Sequence, residues 1–144
     1  MNVRRLTGGD ESLWLSAVTA VLGPEDRVAS TAEAAAALAD SRCYLFVATH
    51  DDALVGLLTA YRFPDVTSGG EIAYLYDIEV LPVQRRKGLG AQLVGALVEC
   101  CEQDNVKLIW AGTDVNNVAA RRTFEVTGAE VEGLSYAEYE WHLE

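Results

Sequence analysis

The residue types best suited to chemistry lie in one short basic segment that contains two glycines. It reads Arg85-Arg86-Lys87-Gly88-Leu89-Gly90 and stands between a predicted strand and a predicted helix. Glycines let the backbone turn tightly, so successive N–H groups at the helix start can point at one anion, with support from the helix dipole. The segment lacks the Lys-Ser/Thr ending of a Walker A loop, and it lacks the G-x-G-x-x-G pattern of dinucleotide-binding folds. It predicts a phosphate site of another kind, with a solvated basic turn as the alternative.

Two carboxylates on the preceding strand are the second candidate site. Asp77 and Glu79 are two residues apart in the run from Glu71 to Val80, and side chains alternate along a strand, so both point to one face. Burying two carboxylates on a fully covered face of the sheet would cost much free energy, because both would lose their hydration. We therefore expect them to line an open cleft, unless they simply face solvent or a bulge disturbs the alternation.

Periodicity along the chain predicts the elements that must position these residues. We expect strands at 3–6, 43–49, 54–63, 71–80, 106–113, 129–131 and 138–143, and helices at 10–22, 30–39, 89–104 and 117–127. The strands at 71–80 and 106–113 form a βαβ unit with the helix between them. The prediction is an α+β fold, a sheet with helices on both faces. Trp14 and Trp110 are predicted to lie in the core.

Length and composition limit the classes of protein. The chain has 144 residues, half of them apolar, which is enough for one domain spanning 1–144 without disulfides. Its net charge of −11 disfavours nucleic acid and anionic membranes and favours a cationic partner, although an acidic surface also simply aids solubility. Three cysteines and two histidines without ligand spacing predict no metal site. With no signal peptide and no apolar run of about 20 residues, we expect a cytoplasmic protein.

The pattern around the basic segment resembles the GNAT superfamily of acetyl-CoA-dependent N-acetyltransferases. An apolar strand, a turn with Pro82, and residues 85–90 match that family's Arg/Gln-x-x-Gly-x-Gly/Ala pattern at every fixed position. The family's later Asn, aromatic residue and Gly turn are matched by Asn117, Phe124 and Gly128. The resemblance covers essentially the whole chain. It implies a mixed, mostly antiparallel twisted sheet with a splayed central βαβ unit.

The resemblance also implies where coenzyme A would bind. The coenzyme would lie in a cleft where the strands at 71–80 and 106–113 splay apart. Its pyrophosphate would contact the backbone amides of the basic segment, with the Arg86 and Lys87 side chains nearby. Its pantetheine would pair with the backbone of Ile78, Glu79 and Val80 as an added strand. The Asn117 side chain would hydrogen-bond to the pantetheine or to the thioester.

A narrower resemblance concerns the acceptor of the acetyl group. Residues 71–78, 85–88 and 55–61 look like the aminoglycoside 3-N-acetyltransferases of type I, which confer antibiotic resistance. Aminoglycosides are polycations, so the acidic charge of the chain fits them. Side chains that could bind such an acceptor are Asp77, Glu25, Asp26, Glu71, Asp114, Glu138, Tyr76 and Tyr136. Terminal strands in this architecture often pair between subunits, so a homodimer is possible.

The implied reaction is direct attack of a neutral primary amine on the thioester of acetyl-CoA. Asp77 is predicted to take the ammonium proton, directly or through water, with Glu79 as the second candidate; the Val80 N–H would stabilise the oxyanion. Phe124 stands where many members place a tyrosine that protonates the thiolate, so water or another hydroxyl must serve. The alternatives are acetylation of a peptide N-terminus, lysine or polyamine, and a non-catalytic acyl-CoA-binding module.

Overall fold

The computed structural model describes residues 2–24, 28–85, 87–135 and 137–143. Within them, the strands are β1 Asn2–Arg5, β2 Cys43–His50, β3 Ala53–Pro64, β4 Glu71–Val80 and β5 Val106–Ala111. The α-helices are α1 Glu11–Leu22, α2 Thr31–Ala39, α3 Leu89–Gln103 and α4 Val118–Val126, and a short 3-10 turn spans Pro82–Gln84. The α+β class and the predicted element order up to α4 are confirmed. In the described part of the chain, every helix is too short or too polar to cross a membrane.

The five strands form one sheet in the order β1-β2-β3-β4-β5. The strands from β1 to β4 are antiparallel neighbours, whereas β5 pairs with β4 in parallel. A parallel pair needs a crossover connection, and α3 supplies it between β4 and β5. The mostly antiparallel sheet and its βαβ unit are therefore as expected.

Helices cover both faces of the sheet. On one face, α3 contributes Leu89, Leu93 and Leu97 to a core that includes Leu58 of β3; we call this the α3 face. On the other face, Trp14 of α1 lies in a second core with residues of α2, β2 and β3, as predicted. Full burial of a large apolar side chain contributes about 1.5–3 kcal/mol. The two cores therefore hold the helices in place on the sheet.

Local signals at the ends of elements agree with the structure. The Ser30 hydroxyl accepts from Glu33 N at 3.1 Å, and the Glu33 carboxylate accepts from Ser30 N at 2.9 Å, which is a capping box. Asp51 and Asp52 have φ values of 50° and 64°, the left-handed pair of a tight hairpin turn. These features fix the start of α2 and the connection between β2 and β3.

The two predicted terminal strands are absent among the described residues. Residues 129–135 and 137–143 form no strand, although apolar side chains alternate at Tyr139, Trp141 and Leu143. These three side chains are 76%, 80% and 88% exposed. Alternation shows which side chains share a face, but a strand also needs a partner for its backbone groups. Within the described residues of this one chain, the segment pairs with no other strand.

The buried Tyr44 hydroxyl provides a test of the fold that does not depend on function. It donates to Asp104 Oδ2 at 2.7 Å, between β2 and the end of α3, and burial keeps its pKa above the ordinary value. We expect Tyr44→Phe to lower the free energy of unfolding by about 1–2 kcal/mol, because the Asp104 carboxylate loses a hydrogen-bond donor in a partly buried position. Urea denaturation measures this. The control Tyr139→Phe, at an exposed ring, should change stability by less than about 0.5 kcal/mol; equal effects would contradict the role of the bond.

Candidate active site

The strand β4 extends beyond its parallel neighbour. Its pairing with β5 runs from Glu71, opposite Val106, to Leu75, opposite Ala111. β4 continues to Val80, and among the described residues no further strand lies on that side of it. An opening therefore forms where the two strands separate. We call the stretch from Tyr76 to Val80 the open edge of β4.

Backbone groups of two residues point into this opening. Leu81 N donates to Val55 O at 2.8 Å across the pairing of β3 with β4. Residues of an antiparallel pair alternate between facing the partner strand and facing away, so Ile78 and Val80 face away from β3. The Val80 carbonyl accepts from Arg85 Nε at 3.1 Å. The Val80 N–H and both backbone groups of Ile78 are thus placed to bind an amide-bearing ligand.

A β-bulge sets the side-chain pattern of the open edge. Thr59 of β3 lies opposite Asp77, but the next residue of β3 lies opposite Leu75. Tyr76, between Leu75 and Asp77, therefore has no partner on β3 and is the extra residue of the bulge. Because the bulge precedes Asp77, the side chains of Asp77 and Glu79 stay together on one face. Tyr76 joins them there. This face is the one opposite α3, and we call it the Asp77 face.

Asp77 is a carboxylate of the open edge with a shifted pKa. Partial burial raises the pKa of Asp77 above its ordinary value of 3.8; the facing Thr59 hydroxyl opposes this rise, and the charge of Glu79 adds to it. The Thr59 side chain is buried directly opposite Asp77. A raised pKa suits a carboxylate that must accept an ammonium proton. Sequence reasoning missed Thr59, since one threonine in an apolar strand carries no signal.

Glu79 is held in an ion pair that the sequence did not reveal. Arg85 Nη2 lies 2.8 Å from Glu79 Oε1, and the same guanidinium donates to the Val80 carbonyl. The first residue of the basic segment is therefore folded back on the end of β4. This contact ties the segment to the open edge and occupies the Glu79 carboxylate in an ion pair. Asp77 is left as the better candidate for a base.

The basic segment leads into the start of α3. Gly88 is the N-cap of α3 with φ 80°, a left-handed conformation that favours glycine. Gln92 N donates to Gly88 O at 3.0 Å as the first helical hydrogen bond, so the N–H groups of residues 89–91 have no partner within the helix. These groups lie at the positive end of the helix dipole. Lys87 is exposed next to them, and Arg86 lies outside the described residues.

Two residues of the basic segment have packing roles as well. The Leu89 side chain is buried in the α3 core. A Cβ at Gly90 would lie 3.3 Å from Thr123 Cγ2, so the absence of a side chain there lets α4 pack closely against α3. Toward a ligand, Leu89 and Gly90 can therefore contribute only their backbone groups.

Some predicted acceptor ligands do not reach the Asp77 face. Glu71 lies at the other end of β4 and points to the α3 face, where its carboxylate is 3.5 Å from Arg62 Nε. Glu138 is exposed in the C-terminal segment, which forms no strand in the described part of the chain. Glu25, Asp26 and Tyr136 lie outside the described residues. Of the predicted acceptor ligands that are described, Asp77 and Tyr76 are the pair that the open edge brings together.

The loop after β5 is shaped by two side chains that were predicted to bind ligands. Asp114 Oδ1 accepts from Asn116 N at 2.8 Å. Asn117 Oδ1 accepts from Ala120 N at 3.1 Å and caps α4. The cap leaves the Nδ2 group of Asn117 as the donor that a ligand could use.

Trp110 is not a core residue, contrary to the prediction. It is 40% exposed on the Asp77 face of the sheet, although its ring contacts those of Tyr74 and Phe63. An apolar, aromatic strand does not reveal which of its faces is covered. α1 and α2 pack mainly over β2 and β3, so this part of β5 stays open to solvent.

The chain matches the profile of a protein family described as the acetyltransferase (GNAT) family over residues 12–129. This match covers most of the 144 residues. The chain belongs to the GNAT acetyltransferase family. It is therefore an acetyltransferase by family, and GNAT acetyltransferases use acetyl-CoA. No curated protein sequence matches the chain significantly.

Solved structures agree with the GNAT fold. An aminoglycoside acetyltransferase, meta-AAC0020, from an uncultured soil metagenomic sample in complex with sisomicin has a TM-score of 0.88 at 20% identity, over 99% of this chain and 96% of its own. A second aminoglycoside acetyltransferase, HMB0005, also from an uncultured soil metagenomic sample, has a TM-score of 0.81 at 19% identity, over 97% of this chain and 98% of its own. Aminoglycoside N-acetyltransferase AAC(6')-Iy in complex with CoA has a TM-score of 0.71 at 17% identity, over 98% of this chain and 100% of its own. At these identities the likeness concerns the fold.

The GNAT chain has residues that fit acetyl-CoA. The coenzyme carries amides and a pyrophosphate. The backbone groups of Ile78 and the Val80 N–H, which face away from β3, suit the amides, and the N–H groups at the start of α3 suit the pyrophosphate. Lys87 adds a positive charge beside the same helix start. These features are close in sequence because β4 leads directly into α3.

Proposed function

We propose that this GNAT chain transfers an acetyl group from acetyl-CoA to a primary amine of a cationic small molecule, the 3-amino group of an aminoglycoside, and so contributes to antibiotic resistance. The observation that carries the proposal is the open edge of β4. It brings together the Asp77 carboxylate, the Val80 N–H and the segment that leads into α3. A base, an oxyanion donor and an anion site are the parts that acetyl transfer from a thioester needs.

The choice of a cationic acceptor is supported by charge. The chain carries a net charge of −11, which attracts polycations, and the open edge adds Asp77. The soil acetyltransferase of similar fold is described with sisomicin bound. The 3-amino position is supported by the sequence resemblance at residues 71–78 and 85–88. Analysis of the acetylated product by NMR spectroscopy assigns the position.

Asp77 acts as the base of the reaction. It takes a proton from the ammonium group of the acceptor, directly or through water, and the neutral nitrogen then attacks the thioester carbonyl. The new C–N bond forms, and the Val80 N–H stabilises the charge on the carbonyl oxygen. As the C–S bond breaks, the second proton of the nitrogen reaches the thiolate through water, because Phe124 has no hydroxyl and packs against the α3 core. The products are the N-acetylated amine and coenzyme A.

The coenzyme is held by groups on both sides of the opening. The backbone groups of Ile78 bind its pantetheine, the Val80 N–H faces its thioester, and the N–H groups of residues 88–91 bind its pyrophosphate; the backbone of Glu79, predicted as a further partner, pairs with β3 instead. Lys87 and Arg86 add charge near the pyrophosphate, and the Asn117 Nδ2 donates to the pantetheine. Arg85 is a positioning residue rather than a phosphate ligand, because its guanidinium already contacts Glu79 and Val80.

The direct test is a thiol-release assay with acetyl-CoA and a panel of amines. The panel contains kanamycin, gentamicin, spermine and basic peptides with a free N-terminus or lysine. We expect turnover with the aminoglycosides and little with the peptides. Turnover with peptides or polyamines alone would contradict an aminoglycoside acceptor. It would favour an enzyme that acetylates a peptide N-terminus, a lysine or a polyamine. Tight binding of acetyl-CoA without turnover of any amine would favour a non-catalytic acyl-CoA-binding module.

Arg85→Met tests the positioning role of the ion pair at the end of β4. The substitution keeps much of the apolar stem but removes the contacts with Glu79 and Val80. We expect the KM for acetyl-CoA to rise about tenfold, as for the loss of one or two charge-assisted hydrogen bonds. The control is Arg42→Met, which removes an exposed ion pair with Asp40 of 2.9 Å far from the opening. If Arg85→Met changes the KM for acetyl-CoA no more than Arg42→Met does, Arg85 has no role in positioning the coenzyme site.

A further inference from the structure

Five aromatic side chains form a continuous cluster on the Asp77 face. They come from three neighbouring strands and are Tyr61, Phe63, Tyr74, Tyr76 and Trp110. Neighbouring ring centroids are 4.7 to 6.0 Å apart, in the order Tyr61, Tyr76, Tyr74, Trp110, Phe63. These distances are typical of mutually packed rings. We call this cluster the aromatic floor.

The aromatic floor is open to solvent. Tyr76 is 60% exposed, and Tyr61, Phe63 and Trp110 are each 37% to 40% exposed. The helices on this face, α1 and α2, pack mainly over β2 and β3. Contiguous exposed apolar surface of this kind usually marks a binding site. The packing of the rings against one another holds them in place before any ligand arrives.

The aromatic floor is continuous with the proposed catalytic carboxylate. Tyr76 is the bulged residue directly before Asp77, and Tyr61 follows Thr59 on the same face of β3. Burial raises the pKa of the Tyr61 hydroxyl, so this group remains a neutral hydrogen-bond donor at physiological pH. A molecule with an amine at Asp77 would therefore extend its remaining part over aromatic rings and phenol hydroxyls.

The chemistry of this surface selects one class of acceptor. The faces of aromatic rings attract ammonium groups, and they also pack against the apolar C–H faces of saturated rings. A polycation built from saturated rings uses both properties at once. A linear polyamine can use the first property, but it has no ring faces and loses more conformational freedom when it is ordered.

We propose that the aromatic floor binds the ring scaffold of the acceptor, and that it selects amines carried on saturated rings, such as amino sugars, over linear polyamines. This inference rests on the proposed function, because it uses the same carboxylate. It adds Tyr61, Phe63, Tyr74 and Trp110 as specificity-determining residues. The competing occupant is a second copy of the chain, whose exposed Trp141 could reach such a surface.

The test compares ring-removing, ring-preserving and control variants in the thiol-release assay. Trp110→Leu and Tyr76→Leu should each raise the KM for kanamycin about tenfold, because each removes a stacking surface while keeping an apolar side chain. Trp110→Phe and Tyr76→Phe should recover most of the affinity. The control is Leu108→Ala, at an exposed side chain on the same face of β5 but outside the ring contacts. In the leucine variants the KM for acetyl-CoA should change by less than about twofold. Their KM for spermine should rise clearly less than that for kanamycin, because a linear polyamine uses the attraction for ammonium groups but has no ring faces to pack.

The possible outcomes separate the inference from the proposed function. If the wild type acetylates amines but the leucine variants keep the wild-type KM for kanamycin, the inference is wrong and the function stands. If the wild type acetylates no amine, the function is wrong, and calorimetric titration of kanamycin into the same variants still tests the aromatic floor. If the leucine variants dissociate a dimer in sedimentation experiments and leave the kanamycin affinity unchanged, the occupant is a second copy and the inference is overturned.

Discussion

Asp77→Asn is expected to lower kcat by about 100-fold or more, while the dissociation constant of acetyl-CoA changes by less than about twofold. The amide is nearly the same size as the carboxylate but cannot take a proton from the acceptor. In the proposed binding mode the coenzyme contacts only the backbone of the open edge, so its affinity should be spared. Steady-state kinetics with kanamycin and calorimetry with acetyl-CoA measure the two quantities. Comparable loss in both would indicate a structural defect, and an unchanged kcat would remove Asp77 from the mechanism.

The pH dependence of the same reaction gives an independent check on Asp77. A base must be deprotonated, so kcat/KM falls as pH decreases through its pKa. Since burial raises the pKa of Asp77 above 3.8, the fall should begin at a higher pH than for an exposed aspartate. Asp77→Asn should abolish this limb of the profile. Glu79→Gln should retain the limb and most of the activity, because Glu79 is paired with Arg85 at 2.8 Å.

Gly88→Val is expected to raise the KM for acetyl-CoA by more than about tenfold. Gly88 has φ 80° at the start of α3, and a β-branched residue is strongly disfavoured in that conformation. The backbone would shift to relieve the strain, and the N–H groups of residues 88–91 would no longer converge on the pyrophosphate. Steady-state kinetics at saturating kanamycin measure the effect.

A matched control separates this local effect from a general loss of stability. Gly9 also has a left-handed φ of 100°, with open space around it, in the loop before α1. Gly9→Val should lower the free energy of unfolding by a similar amount but leave the KM for acetyl-CoA within about twofold. If both variants raise that KM equally, the glycine of the basic segment has no special role in coenzyme binding.

Much of the fold was predictable because its signals are local. The helical period of α1 and α3, the capping box at Ser30 and the apolar runs of β2 to β4 each depend on nearby residues. The terminal strands were predicted wrongly, because alternation at Tyr139, Trp141 and Leu143 says nothing about a pairing partner. Trp110 was wrongly assigned to the core for a similar reason. Whether a face is covered depends on helices far away in sequence.

The candidate site was predictable in its backbone and less so in its side chains. The position of residues 85–90 before α3 follows from the order of elements, whereas the separation of β4 from β5 was implied by the family resemblance. The bulge at Tyr76, the ion pair between Arg85 and Glu79, and the position of Thr59 opposite Asp77 follow from neither. They depend on register between strands, and a shift of one residue reverses every side chain.

Residue-resolved amide hydrogen exchange, with and without coenzyme A, tests most directly whether the open edge of β4 binds the coenzyme. In the free protein, the N–H groups of Ile78 and Val80 should exchange faster than those of β4 residues that pair with β3 or β5. Saturating coenzyme A should slow exchange at Ile78 at least about tenfold, because the pantetheine becomes the hydrogen-bond partner of its N–H group. Acetyl-CoA should also slow exchange at Val80, because the Val80 N–H then faces the thioester carbonyl. Slow exchange at Ile78 and Val80 in the free protein, or exchange at Ile78 that the coenzyme leaves unchanged, would contradict the account.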